Sequence, residues 1–301
     1  MPGAVAPDLP HMLRAQGAAL EIGPFIVRLR SRLPAMAESI GLHYAEQLLP
    51  ADTPFCDFHV RLDRAPGVRG VWRPQARFYL DGSSPFKPLP LAQAFPLFEW
   101  GLNWCIAQHG HHYLMIHAAV VARDDRALIL PGAPGAGKST LAAALALSGW
   151  RLLSDEFALL SLEDGMLSPL PRPVSLKNQA IPLIRERFPQ AVLGRSTHDT
   201  TKGTVAHLKP PEESIARSQV PAQPAWLVFP RFAPEGKDAL RPMPKAHSLL
   251  TLADAAFNYS VLGGQGFEAA ADLIDRCACF ELDYADLDRS LHALTALTDA
   301  P

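Results

Sequence analysis

The clearest hydrophobic pattern in the chain lies near its middle. Two apolar runs, at residues 117–122 and 127–130, are separated by a short polar turn, which predicts a β-hairpin of buried strands. Residues 141–147 contain only Leu and Ala, which are strong helix formers. The runs at 150–154 and 157–162 then predict two more strands. This order of strand, strand, helix and strand is typical of an α/β domain.

The first third of the chain predicts a small α+β unit. Short apolar runs separated by proline-rich turns indicate its elements: strands at 25–30, 55–62 and 71–80, and helices at 34–49 and 95–109. We therefore expect a small α+β N-terminal domain at residues 1–110 and a second domain at 111–301.

The last third continues the α/β pattern of the second domain. Its apolar runs and helical stripes predict a buried strand at 225–229, helices at 248–261 and 267–277, a strand at 279–282 and a closing helix at 285–297. A mixed sheet with flanking helices accommodates all of these elements.

Composition limits the classes of function. Of the 301 residues, 48% are hydrophobic and 19% are charged, so a well-buried core is expected. A net charge of -2 gives no electrostatic basis for binding nucleic acid or an anionic membrane. We see no membrane-spanning run and no signal peptide. The four cysteines form no CxxC pair, which fits a reduced, cytoplasmic compartment.

A glycine-rich segment follows the hairpin directly. Residues 132–139 fit the pattern G-x-x-x-x-G-K-[ST] of a phosphate-binding loop, with a strand before them and a helix after them. Glycines let backbone N–H groups turn towards one anion, and the helix N-terminus adds partial positive charge. Lys138 is expected on the β- and γ-phosphates of a nucleotide, and the Ser139 hydroxyl on Mg²⁺. The candidate binding residues are Gly132, Ala133, Pro134, Gly135, Ala136, Gly137, Lys138, Ser139 and Thr140.

An acidic pair, Asp155 and Glu156, follows the strand predicted at 150–154. A carboxylate at a strand end is suited to hold the Mg²⁺ that a phosphate loop requires, and the alternative is a surface turn. Two cations, Lys177 and Arg231, are candidates for further phosphate contacts, and each could equally be a solvated surface charge.

These motifs together resemble the catalytic domain of HPr kinase/phosphorylase, in particular the subgroup called HPr-kinase-related kinase A. The resemblance depends on His117 before the loop, on the loop itself, on Gly149 and the Arg-Leu after it, and on the adjacent acids. It covers residues 113–160 well and the remaining chain more loosely.

The resemblance implies the fold of the P-loop kinases of the HPr kinase and phosphoenolpyruvate-carboxykinase-like type. It implies phosphoryl transfer from ATP to a hydroxyl, typically of serine, with Mg²⁺ as cofactor. Lys138 and Ser139 correspond to the phosphate and metal ligands. Asp155 and Glu156 correspond to the pair that binds metal and accepts the hydroxyl proton, and His117 to an active-site histidine.

Three departures from the family pattern stand out. Thr140 replaces a usual acid, Glu156 replaces a usual Asp, and the downstream sequence that serves phosphorolysis of phosphoserine-HPr has no counterpart. These departures leave both HPr as acceptor and the reverse reaction in question.

Several alternatives remain open. A nucleotide-binding module without catalysis, which switches a partner protein on binding ATP, would need the loop but not the acidic pair. A transporter-type ATPase is disfavoured because Gly263-Gly264-Gln265-Gly266 lacks the Leu-Ser that begins the transporter sequence. The acceptor is a peptide, a small protein or a small molecule, and the subgroup implies a small peptide-chaperone-like partner. The phosphoryl donor and the oligomeric state, including a homo-oligomer, stay undetermined.

Overall fold

The computed structural model describes residues 8–67 and 72–299. Val71, the first residue of the strand expected at 71–80, lies outside the described residues. The chain divides into two compact units. The first consists of the described residues up to Gln108 with Ser175–Pro182 and Val192–Lys209, and the second of His109–Val174, Leu183–Ala191 and the described residues from Pro210 onward. The division expected at 110/111 does not anticipate the two later segments of the first unit.

The first unit combines helices with two small sheets. Its larger sheet has the order β1-β2-β3-β4-β5, formed by Ala18–Ile22, Phe25–Ser31, Phe58–Arg64, Gln75–Leu80 and Leu89–Pro90. Only the β2–β3 pair is parallel. The smaller sheet has the order β11-β13-β12, formed by Val174–Lys177, Gly203–Leu208 and Thr197–Thr200. The helices are α1 (Leu9–Arg14), α2 (Pro34–His43) and α3 (Ala94–His109), with 3₁₀ turns at Ala45–Gln47 and Leu91–Gln93.

Burial explains the strands of the first unit. Buried side chains alternate along β2 and β3, as expected for strands with one face in the core.

The sequence did not predict α1 and β1, and the helix predicted to reach residue 49 ends at His43, where Tyr44 leaves the helical conformation. The Tyr44 hydroxyl donates a buried hydrogen bond of 2.7 Å to Glu99, which joins the end of α2 to α3.

The second unit contains one large mixed sheet. Its order is β10-β9-β6-β7-β14-β16-β15, and β8 also pairs with β6. The strands are β6 (Tyr113–Arg123), β7 (Arg126–Pro131), β8 (Arg151–Ser154), β9 (Phe157–Ser161), β10 (Leu167–Ser168), β14 (Gln223–Phe232), β15 (Ala239–Pro242) and β16 (Ala278–Tyr284). β7, β14 and β16 run parallel to one another, whereas the other pairs are antiparallel.

Apart from the last residue of α3, seven helices belong wholly or partly to the second unit as it is described. They are α4 (Lys138–Leu147), α5 (Ala180–Arg187), α6 (Glu212–Ala216), α7 (Lys245–Ala255), α8 (Tyr259–Leu262), α9 (Gly264–Arg276) and α10 (Leu287–Asp299). Even-numbered residues of β6 share an apolar cluster with Leu252 of α7 and Leu273 of α9, so these helices cover one face of the sheet. Helix α4 is outside that cluster and packs against β6, β8 and α10.

The predicted hairpin at residues 117–130 is confirmed. β6 and β7 are buried along almost their whole length, which explains why they appear as continuous apolar runs. The two residues between them, Asp124 and Asp125, both have positive φ, of 50° and 59°. Such a pair forms the tight hairpin turn whose twist matches that of the strands.

The helix predicted at 248–261 is wrong as a single element. Helix α7 ends at Ala255, because Ala256 is extended and forms a bridge to Ile116 of β6. Asn258, which is buried, then accepts a hydrogen bond from the Met115 N–H and donates one to the Tyr113 carbonyl. The chain is therefore attached to the edge of β6 before α8 begins.

The expected α/β class holds at the level of architecture: both units combine strands and helices, and the second has a mixed sheet with flanking helices. Within the part of the chain that is described, no helix has the length and apolar character needed to cross a bilayer.

Candidate active site

The glycine-rich segment at residues 132–139, hereafter the glycine loop, leaves the end of β7 and enters α4. Gly135 and Gly137 both have φ of 89°, a conformation that costs an L-residue about 1–2 kcal/mol. Residues 133–135 are exposed at the tip. The first N–H groups of α4 have no acceptor within the helix and lie directly after Gly137, so this end of the helix can receive an anion.

Lys138 is buried at the base of the glycine loop. Its ammonium group donates hydrogen bonds to the Gly132 carbonyl and, at 3.2 Å, to the Ala133 carbonyl. The lysine thus spans the loop and holds a positive charge beside its N–H groups. A phosphate in the loop would compete with these carbonyls for the same ammonium group.

Tyr284, at the end of β16, forms a wall of the glycine loop. A Cβ atom built on Gly137 would lie 1.5 Å from the Tyr284 hydroxyl oxygen, so the tyrosine occupies the space of a side chain at that position. Tyr284 is 3% exposed, and its burial raises the pKa of its hydroxyl, which therefore stays neutral at physiological pH. The loop glycine is needed both for its φ and for this close contact.

The acidic pair lies across β6 from the glycine loop. On one edge of β6, Ala118 pairs with Pro131, the last residue before the loop. On the other edge, the ladder includes Ser154 and resumes at Phe157, so the pair falls opposite the same stretch of β6. Two strand spacings separate the backbones on the two edges by roughly 10 Å.

The backbone is irregular where the acids occur. The register between β6 and β8 shifts just before Ser154, whose Oγ then accepts the Phe157 N–H at 3.2 Å. Such irregularities re-aim the side chains that follow them. Asp155 is 5% exposed, whereas the Glu156 side chain is partly accessible.

His117 stands beside the second acid. Its Nε2 lies 3.4 Å from a carboxylate oxygen of Glu156, and its ring is 5.6 Å from that of Phe257, between centroids. Phe257 also contacts the ring of Phe157 at 5.0 Å. The segment fixed by Asn258 therefore closes one side of the pair formed by His117 and Glu156.

Arg231 follows the residue that borders the glycine loop. The Pro230 carbonyl oxygen is 3.6 Å from the Cβ position of Gly132, so β14 runs along the loop. The guanidinium group of Arg231 donates to Asp283 at 2.6 Å, and with Arg241 it holds the pKa of that carboxyl below its usual range. Phe229 lies in the cluster beneath α7 and α9, so the pleat directs Arg231 to that face too.

Lys177 belongs to a different compact unit from the other candidate residues. It ends β11, in the first unit, whereas the glycine loop, the acids, His117 and Arg231 all belong to the second. The second unit thus brings the loop, Lys138, His117 and both acids to the middle of β6. Among the described residues, no group of three or more His, Cys, Asp or Glu side chains is arranged to hold a metal.

In comparisons with known proteins, no family model and no curated protein matches the chain. The chemistry of this site must therefore be argued from its residues and geometry.

Three residues that contribute to the site were not identified from the sequence. Tyr284 lies beyond the strand predicted at 279–282, and nothing local links it to Gly137. Phe257 and Asn258 fall within a segment predicted as helix. Asn258 offered the only signal, because Asn is a weak helix former that is more often found at caps and turns.

Proposed function

We propose that this protein is a kinase that transfers the terminal phosphoryl group of ATP, with Mg²⁺, to a hydroxyl. The acceptor is a serine of a peptide or small protein, or the hydroxyl of a small molecule. The observation that supports this most is the position of the glycine loop and the acidic pair on the two edges of one strand. The loop begins directly after Pro131, the partner of Ala118 on one edge of β6, and the acids lie opposite Ala118 and Ala119 on the other edge. A site that only binds nucleotide has no need of two carboxylates there.

The phosphate-binding half is supported by the shape and charge of the loop. The loop glycines, the start of α4 and the Lys138 ammonium group lie together at the end of β7. The space beside Gly137 is bounded by a neutral tyrosine rather than by an acid. These are the donors that a polyphosphate needs.

The residues present also fit Mg²⁺. Mg²⁺ in phosphoryl-transfer sites is held by one or two carboxylates, a hydroxyl and the oxygens of the nucleotide, so a three-residue protein cage is not required. Ser139, at the start of α4, and Asp155 supply such oxygens. When bound, the metal neutralises charge on the phosphates.

The transfer itself needs a base for the acceptor. Glu156 is the more accessible acid, and it takes the proton of the acceptor O–H. The acceptor oxygen forms a bond to the terminal phosphorus as the bond from that phosphorus to the ADP oxygen breaks. His117, beside Glu156, orients the carboxylate, while Lys138 balances the negative charge that ADP retains.

The test separates binding from chemistry with two variants. The full chain, γ-labelled ATP and Mg²⁺ are incubated with cell extract, and labelled products are identified by mass spectrometry. We expect Asp155→Asn to bind ATP but to transfer phosphate at least about 10²-fold more slowly, because it removes a metal or base carboxylate while keeping its size. Lys138→Ala should lose most ATP affinity.

Each other outcome has a definite meaning. Transfer by Asp155→Asn at the wild-type rate would refute the assigned chemistry. Equal loss of binding and transfer would reduce Asp155 to a metal anchor. ATP binding by the wild type without transfer to any acceptor would favour the nucleotide-dependent switch, and wild-type affinity in Lys138→Ala would refute the phosphate-loop assignment.

A further inference from the structure

The glycine loop lies between two groups of strand ends. In the sheet, β7 lies between β6 on one side and β14 on the other, with β9 and β8 beyond β6 and β16 beyond β14. The acids and His117 are therefore on one side of β7, and the ends of β14 and β16 are on the other. In the proposed function, the terminal phosphate of the donor points to the acids. The rest of the donor then extends towards the ends of β14 and β16.

An aromatic pair occupies that second side. Phe232 ends β14 and is paired in register with Tyr284, which ends β16. Their rings are in edge-to-face contact, with centroids 5.5 Å apart and planes at 68°. Tyr284 in turn touches Gly137, so the pair is continuous with the loop.

The two rings differ in accessibility. Tyr284 is 3% exposed, whereas Phe232 is 53% exposed. Single exposed apolar side chains are common and need no explanation by themselves. Phe232 is unusual in its position, because its ring is held by a buried tyrosine that already forms a wall of the proposed phosphate site.

The pleat of β14 separates Phe232 from its neighbour. Leu227 and Phe229 face the apolar cluster beneath α7 and α9. Side chains alternate along a strand, so Arg231, two residues after Phe229, points to the same face. Phe232 therefore faces the opposite side, the side on which Tyr284 meets the start of α4. Of the two residues at the end of β14, the aromatic one is on the face of the glycine loop.

We propose that Phe232 is the stacking platform for the nucleobase of the phosphoryl donor, supported from behind by Tyr284. This inference rests on the proposed function, since it takes the direction of the donor from the acidic pair. An aromatic ring binds a base through its π-face whatever the pattern of hydrogen-bond donors on the base. The platform therefore selects a nucleotide over a bare polyphosphate, which the glycine loop by itself does not do.

The experiment compares two probes, ATP and inorganic tripolyphosphate, each titrated with Mg²⁺ into the full chain by calorimetry. We expect the wild type to bind ATP more tightly than tripolyphosphate. Phe232→Ala should weaken ATP binding about 10-fold, within the range for loss of one stacked base, and leave tripolyphosphate binding unchanged. Phe232→Trp should keep ATP affinity, and its added fluorescence should be quenched by ATP but not by tripolyphosphate.

Phe267→Ala is the matched control. Phe267 is 51% exposed and belongs to α9 in the same unit, so its truncation removes a similar ring without touching the loop. Both affinities should equal those of the wild type.

The outcomes distinguish this inference from the kinase proposal. Equal wild-type affinity for ATP and tripolyphosphate, or unchanged ATP affinity in Phe232→Ala, overturns the platform and leaves the phosphate site intact. Parallel loss of both probes in Phe232→Ala overturns it as well, because the ring would then only support the loop. A wild type that binds neither probe overturns both proposals.

Discussion

The contact between Gly137 and Tyr284 gives the most direct test of the loop geometry. Gly137→Ala adds one methyl group at a residue with φ of 89°. Gly135→Ala adds the same group at the same φ, but nothing lies within 4 Å of its Cβ position. The two variants therefore share the backbone cost and differ in the overlap with the tyrosine.

The expected magnitudes follow from these geometries. A left-handed conformation costs an L-residue about 1–2 kcal/mol, which is the whole effect at Gly135. At Gly137 the new methyl would lie 1.5 Å from the Tyr284 oxygen, less than half a normal contact distance. Because Tyr284 is buried, it cannot simply turn into solvent. Overpacking of this kind adds roughly 1–3 kcal/mol, giving about 2–5 kcal/mol in total.

Thermal unfolding without nucleotide measures this difference. At roughly 2–4 °C per kcal/mol for a unit of this size, Gly135→Ala should lower the unfolding midpoint by about 5 °C and Gly137→Ala by about 10 °C. Adding Tyr284→Ala to Gly137→Ala should relieve the overlap, so that the two substitutions are not additive. Equal midpoints for the two single variants would refute the argument, because the tyrosine would then yield to the methyl group at no cost.

Two further predictions concern other buried polar groups. Asn258→Ala should destabilise the second unit by about 2–4 kcal/mol, because it leaves two buried backbone groups of β6 without partners. Chemical denaturation measures this loss, and a value below about 1 kcal/mol would contradict the prediction. In the first unit, burial and then Lys209 lower the pKa of His43 to about 3, so below pH 6.5 the unfolded chain takes up a proton that the folded chain does not. The free energy of unfolding should therefore decrease as the pH is lowered from about 6.5 to 3, with a loss of about 2 kcal/mol at pH 5. His43→Gln should lack this part of the acid dependence in denaturation curves measured across that range.

The part of the site that the sequence predicts is the part encoded locally. The glycine loop, its strand and its helix are consecutive, and their residue types follow from the conformation and charge that the loop requires. Asp155 and Glu156 were found in the same way, as polar residues that interrupt an apolar run. The hairpin was predictable because burial on both faces leaves a continuous apolar signal.

The remaining features depend on which distant segments pair. Tyr284 reaches Gly137 because β16 lies beside β14, which in turn lies beside β7. No local sequence pattern indicates that strand order. The helix predicted at 248–261 failed because pairing of Ala256 with β6 outweighs the helical preference of its neighbours. The two later segments of the first unit could not be predicted for the same reason, since each is defined by its contacts.

The interruption between β8 and β9 matters for the kinase hypothesis as much as the acids themselves. In an unbroken strand, adjacent residues face opposite sides of the sheet, so only one of two consecutive acids could face the glycine loop. The ladder to β6 includes Ser154 and resumes at Phe157, and the Ser154 hydroxyl accepts the Phe157 N–H between them. The two residues in this gap are released from the strict alternation of a strand. A metal ligand and a base can then be consecutive in sequence and still serve one phosphate, which a regular strand of the same composition would not allow.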